Sequence, residues 1–296
     1  MRALRERAAL WMLLRPAWGR ANLSSTSAAV HPPSPESTPP ESLLLDVPAL
    51  RQPDDFSCGP TCLFKVLRTY GGAHTFDEVS GAVERGENGG TLGVFLGQAA
   101  LDLGYDASLY SYNLRVCDPT WAGLSAPALA DKLAVRAGAI EEPKLKGSVE
   151  AYARFVRAGG VVRLDDLSVE LLVSLLDRGH PILCGLSATY LYQTPRTNPR
   201  TNGIDDVGGE PEGHFIVVSG YRQYGRHFIV SDPYRGLPMT VTGTYEVSAQ
   251  RLLNAILLGD VTYDGVLLVV APKQVAPKQV APKQVDSESA PSREQR

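Results

Sequence analysis

The chain has 296 residues and a net charge of −3, enough length for one full domain with its own hydrophobic core. No basic stripe is interleaved with aromatics, which removes nucleic acid as an expected partner, and no apolar run approaches the ~18 residues of a membrane span. Its four cysteines, Cys58, Cys62, Cys117 and Cys184, are too sparse for a disulfide scaffold, so a reducing, cytoplasmic setting is expected.

Residues 1–43 carry five arginines and a Pro/Ser/Thr-rich run with few large apolar side chains. Such a segment buries too little surface to offset its ordering entropy, and a disordered or targeting extension is expected. Its short apolar stretch Ala8 to Leu14 leaves export or organellar targeting as the alternative to the cytoplasm. A short strand is expected at 43–50. Residues 59–70 read as a helix, with Pro60 in the first turn, Leu63, Val66, Leu67 and Tyr70 at helical spacing, and Gly71-Gly72 as the stop. Helices follow at 76–84 and 92–103, then a strand at 105–112. Residues 126–137 and 148–158 are helical within an expected insertion over 116–160, and 168–177 is a helix ended near Gly179. Residues 181–186 form a wholly apolar strand. The β-rich runs 214–221 and 227–231 flank a polar loop with a glycine, the pattern of a hairpin. Strands at 241–247 and 266–270 enclose a helix at 249–257. From Val270 the unit Val-Ala-Pro-Lys-Gln occurs three times. Its recurring proline excludes a helix or central strand, so 271–296 is expected to be a low-complexity tail. Helices first and an antiparallel sheet second define an α+β domain over 44–270.

Cys58 lies immediately before the 59–70 helix, where unpaired N–H groups and the positive end of the macrodipole favour a thiolate. In a hairpin turning near Gln223 and Tyr224, His214 and Asp232 stand opposite or one diagonal step apart on one face, within ~5–8 Å. An imidazole and a carboxylate at that separation can hydrogen-bond, fixing the tautomer and supporting the imidazolium. A register shift of one residue would put them on opposite faces. Gln52, six residues before Cys58, can aim its amide at the point reached by the Cys58 backbone N–H, making a two-donor oxyanion hole. Cys62, one turn beyond Cys58, reads as a core thiol, because the pair lacks common zinc spacing and has no matching second pair. Cys184 reads as packing. Neither metal nor cofactor is expected. The segment 189–199, with Tyr190, Tyr192 and Arg196, is expected to be a lid or a substrate-edge loop, and the role of the long loop 194–212 is left open.

The motif Gln-(x)5-Cys-Gly-Pro-(x)-Cys, its helix ending in Tyr-Gly-Gly, then Gly-His-Phe-Ile-Val-Val-Ser-Gly-Tyr and Val-Ser-Asp-Pro-Tyr resembles the papain-like cysteine peptidase superfamily. Within it the chain looks most like the bacteriocin-processing, double-glycine leader peptidases, as a free-standing member. The resemblance implies a papain-like fold, with a helical half carrying Cys58 packed against a sheet carrying His214 and Asp232. It also implies a peptide or peptide-like substrate, Cys58 as nucleophile, His214 as base then acid, Asp232 as its orienter and Gln52 as oxyanion donor. Transpeptidation on the same site and a silent peptide-binding module are the alternative functions. Oligomeric state is left open.

Overall fold

A computed structural model describes residues 40–86, 89–237, 240–259 and 265–273. Apart from residues 40–43 and 271–273, the expected extension and tail lie outside the described residues. The chain begins with β1 (Leu43–Leu44), α1 (Cys58–Thr69), α2 (Phe76–Ala82), α3 (Gly93–Asp102) and β2 (Tyr105–Ser111). Next come the helical pair α4 (Ala126–Gly138) and α5 (Pro143–Arg157), then β3 (Val161–Arg163), α6 (Val169–Asp177) and β4 (Ile182–Ser187). A short α7 (Ala188–Tyr192) precedes β5 (Gly213–Arg222), β6 (His227–Ser231), β7 (Thr244–Ser248), α8 (Ala249–Leu258) and β8 (Val266–Pro272).

The described strands form one eight-stranded sheet in the order β3-β2-β8-β4-β5-β6-β7, with β1 also paired to β5. Every pairing is antiparallel except β2 with β3. The fold is therefore α+β, as the element order implied. Both faces of the central strands are covered. Leu183, Phe215, Val217, Val266 and Leu268 face a core shared with α1, α3, α4 and α5. Ile182, Cys184, Leu186, Ile216, Val218, Leu267 and Val269 face a second core closed by α6 and α8. Burial on both faces removes the polar half of the alternation, so these strands read in sequence as continuous apolar runs.

Several boundaries differ from the expectation. The strand foreseen at 43–50 is two residues long, because the chain turns away through short-range bonds from Val47 N to Leu45 O and Leu50 N to Pro48 O. α4 and α5 pack on each other and send Leu133, Val149 and Phe155 into the first core, so they share its interior. Two elements were not foreseen. The strand β3 is three residues long, and α7 is five, too short for either to show a period.

The β5–β6 hairpin turns at Gln223–Gly225, as the sequence indicated. Near the turn Arg222 faces His227 and Gly220 faces Ile229, but Val218 faces Val230 and Val217 faces Ser231. Ser219 is thus one extra residue in β5, a β-bulge, and its Oγ donates to Ile229 O at 3.2 Å. The bulge changes, relative to β6, which face every residue of β5 before Ser219 presents. Without it Asp232 would stand in line with Val217, on the face opposite His214. With it Asp232 follows Ser231 into line with Ile216, on the face of His214. Strand β1 covers the bulge, with Leu45 N donating to Ser219 O at 2.8 Å. A Cβ on Gly220 would lie 2.2 Å from Leu43 O, so only glycine lets β1 approach.

Gly220→Ala should therefore lower the unfolding free energy in urea by about 1–3 kcal/mol. Gly81→Ala, in α2 with open space around its Cβ, should raise it by about 0.5–1 kcal/mol.

Candidate active site

The site is assembled at one end of the sheet, where α1 begins. Cys58 is the first residue of α1 and half-buried. The first turn of that helix holds no acidic residue, so the positive helix end is not neutralised. Gly59 allows the close seat of this turn: a Cβ there would meet Thr91 Cγ2 at 2.6 Å and Phe215 Cδ2 at 3.2 Å. The loop before the helix is tied down. Asp54 accepts from Phe56 N at 2.9 Å and from Ser57 Oγ at 2.8 Å, while Arg85 donates to Phe56 O at 2.9 Å and Gly89 O at 3.2 Å.

His214 sits second in β5, opposite Leu186 of β4, and is 9% exposed. Its Nε2 lies 2.9 Å from Asp232 Oδ1. Because Asp232 takes Nε2, Nδ1 is the nitrogen left for the thiol, and Cys58 and His214 are close enough for each to shift the other's titration. Burial pushes the Cys58 thiol up. The hydrogen bond to His214, the imidazolium charge, and the N–H groups of Phe215 and Gly59 outweigh that and hold it below the ordinary thiol value. Burial pulls His214 down, but the Asp232 carboxylate and the bonds to Asp232 and Cys58 raise it well above an ordinary imidazole. The rings of Tyr192 and Tyr234 flank His214 at centroid distances of 6.1 and 6.4 Å.

Asp232 follows β6 and is fully buried. Its Oδ1 also accepts from Tyr234 N at 2.9 Å. Its Oδ2 accepts from Tyr192 Oη at 2.7 Å and Tyr245 Oη at 2.9 Å. Burial raises the carboxyl, but the His214 charge and the bonds from His214, Tyr192 and Tyr234 bring it below the ordinary carboxylate value. Tyr192 and Tyr245 are raised in turn, by burial first and by the Asp232 charge second. Gln52 is 8% exposed, and its backbone N donates to Pro233 O at 3.0 Å, which brings its loop beside Asp232. Its Nε2 donates to Asp54 O at 2.8 Å, which occupies one of the two amide hydrogens, and its buried Oε1 has no hydrogen-bond partner among the described residues.

The structure thus gathers Cys58, His214 and Asp232 into one cluster, with His214 hydrogen-bonded to Asp232, and brings Gln52 alongside. The other thiols stay apart from it. Cys62 is buried, donates to Phe215 O at 3.2 Å and is raised well above its ordinary value, by burial first. Cys117 and Cys184 are buried as well. Tyr192, expected on a lid, turns its hydroxyl inward onto Asp232, and Tyr245 was not singled out at all. Neither role leaves a mark in sequence, since a tyrosine at a half-apolar position looks like any core residue. Beside the site opens a cleft of about 500 Å³ lined by Ser187, Thr189, Tyr190, Gln193, Arg196 and Leu258 among others. Ser187 pairs with Gly213, one residue before His214. Among the described residues no group of His, Cys, Asp or Glu is placed to hold a metal ion. No described helix is long and apolar enough to cross a membrane.

A cysteine at the first position of a helix thus stands beside a His–Asp pair carried by the sheet, the placement that the sequence resemblance implied. Residues 139–252 match the model of a family described as Peptidase_C39 like, which bears out the resemblance over that segment. The matched stretch contains His214 and Asp232 but not Gln52 or Cys58. No curated protein matches the chain. Among solved structures, a double glycine motif protease from an AMS/PCAT transporter, in complex with the leader peptide, is 14% identical, with 77% of this chain and 94% of that chain covered and a TM-score of 0.38. The peptidase domain of Streptococcus ComA, a bi-functional ABC transporter involved in a quorum sensing pathway, is 15% identical, with 76% and 97% covered and a TM-score of 0.36. A putative C39-like peptidase from Bacillus anthracis is 14% identical, with 80% and 100% covered and a TM-score of 0.40.

Tyr192→Phe and Tyr245→Phe should each lower the unfolding free energy at neutral pH by about 1.5–3 kcal/mol, read from denaturant titration, because each removes a donor from a buried carboxylate. The loss should shrink in acid. Asp232 is held below its ordinary value, so what these bonds contribute is complete above the unfolded carboxyl pKa and disappears as pH falls through the folded one.

Proposed function

We propose that the protein is a cysteine peptidase or amidohydrolase that cleaves a peptide or peptide-like amide bond through a thioester on Cys58. The His214–Asp232 hydrogen bond, with Cys58 beside the imidazole at the start of α1, carries this reading. In the resting site the proton of Cys58 lies on His214, leaving a thiolate at the start of α1. The sulfur attacks the substrate carbonyl, forming a C–S bond while the carbonyl oxygen takes the negative charge. The Cys58 backbone N–H and the second amide hydrogen of Gln52 serve as its donors. His214 then gives its proton to the departing amine as the C–N bond breaks. Water, deprotonated by the neutral imidazole, attacks the thioester; the acid product leaves and Cys58 and His214 return to their starting forms. An amine in place of water would yield transpeptidation. Asp232 keeps Nδ1 turned to the sulfur throughout and stays ionised itself.

A silent binding module has no use for a thiol depressed below its ordinary value beside a raised imidazole, which favours the enzyme. The cleft lined by Ser187, Thr189 and Tyr190 and edged by Thr194, Arg196 and Pro211 of the 194–212 loop is a place for substrate residues beyond the reacting bond.

Iodoacetamide near neutral pH should alkylate Cys58 in the native protein and spare the three buried thiols. Cys58→Ala and His214→Ala should each abolish turnover of a captured substrate with little change in circular dichroism, and Gln52→Ala should lower kcat by about 10²–10³-fold. The pH profile should be a bell. Activity rises as Cys58 loses its proton, below the ordinary thiol value, and falls as His214 loses its proton, above the ordinary imidazole value. Full activity in Cys58→Ala would sink the reading. Removal of residues 195–208 should cut turnover more than it lowers the unfolding midpoint; unchanged kinetics would exclude the loop from substrate handling.

A further inference from the structure

Lys65 is fully buried, and no step of the reaction above uses it. It lies on α1 seven residues after Cys58, almost two helical turns and so on the same face, ~10 Å along the axis. Its Nζ donates to Ser231 O at 2.9 Å, the carbonyl immediately before Asp232. Asp232 and Arg235 face it from the β6–β7 connection, and Cys62 faces it from its own helix. Around Asp232 stand His214 from β5, Tyr192 from α7 and Tyr245 from β7. Arg235 is half-exposed and directs a guanidinium N–H outward to Ala49 O at 2.6 Å.

Charges enclosed away from water are tolerated when they cancel. In its working form the site holds a Cys58 thiolate, a His214 imidazolium and an Asp232 carboxylate, which together carry one excess negative charge. A buried ammonium at Lys65 brings the enclosed sum to zero. Remove it, and the excess is relieved when the sulfur takes up a proton from solvent, which leaves a thiol beside a His214 imidazolium and an Asp232 carboxylate with no net charge.

We infer that Lys65 is a positioning residue of this site, whose buried ammonium balances Asp232 and thereby holds Cys58 in the thiolate form. The inference rests on the peptidase reading of Cys58, His214 and Asp232. Its surroundings fit the role: burial draws the lysine down to about 8, opposed by Cys62 and Asp232, so the ammonium still predominates at neutral pH.

The test separates the charge of Lys65 from its hydrogen bond. Lys65→Gln keeps a donor for Ser231 O and loses the charge; Lys65→Met loses both. Alkylation of Cys58 by iodoacetamide is followed against pH in the full chain and in each variant, with folding checked by circular dichroism. Both substitutions should raise the midpoint by about one pH unit, slowing alkylation below it about tenfold. A wild-type midpoint in Lys65→Gln would mean that Lys65 acts only as a strut to Ser231, and would overturn the inference. So would loss of the folded state in both variants. A low wild-type midpoint with unshifted variants brings down this inference alone, whereas an ordinary thiol midpoint in the wild type brings down the peptidase reading as well.

Discussion

A carboxylate sealed from water must have its lone pairs filled by donors or it will take up a proton, and Asp232 is such a group. Four donors converge on it, from His214, Tyr234, Tyr192 and Tyr245, each carried by a different segment of the chain. The end of the sheet is organised around this requirement. Strand β7 delivers Tyr245, and β4 runs without a break into α7, whose last residue is Tyr192. The His214 ring is oriented because one of its nitrogens is already committed. The nitrogen that remains is the one available to Cys58.

That arrangement depends on an irregularity. Ser219 is the extra residue that puts Asp232 and His214 on one face of the hairpin, and it is held from both sides, by its own hydroxyl on Ile229 and by β1 across its carbonyl. A regular hairpin with the same turn would have separated the pair. β1 is only two residues long, yet it secures the register on which the site depends, and Gly220 is the residue that lets it lie there. The short strand therefore connects the fold to the chemistry more directly than most of the long elements do.

The helix carrying Cys58 shows how one element meets two demands. The face with Leu63, Val66 and Leu67 fills the first core, as helical spacing implied. The adjoining face meets β5 and β6 through Cys62 and Lys65, both buried, and ends at the half-buried Cys58. A lysine on a helix is ordinarily taken for a solvated residue, and its sequence neighbours do not say otherwise. Only the position of Asp232 across the interface makes its burial intelligible. The same holds for Tyr245, whose place in a short strand gives no sign that its hydroxyl meets a carboxylate.

The local elements were legible because they are governed by local physics. The period of α1, the glycine stops, the hairpin around a polar loop and the apolar strand β4 each follow from spacing and composition over about a dozen residues. The motif around Cys58 and the runs around His214 and Asp232 are likewise legible, because each is carried by a short local pattern. Short elements such as β3 and α7 escaped, since a few residues cannot display a period. The bulge escaped because a one-residue shift within a uniformly apolar strand alters no pattern that sequence can show. The charge and hydrogen-bond balance at Asp232 could not be seen either, because it is a sum over α1, α7, β5, β7 and the chain after β6, brought together only by folding. The residue types set which groups could react. Register and burial set which of them touch, and with what charge around them.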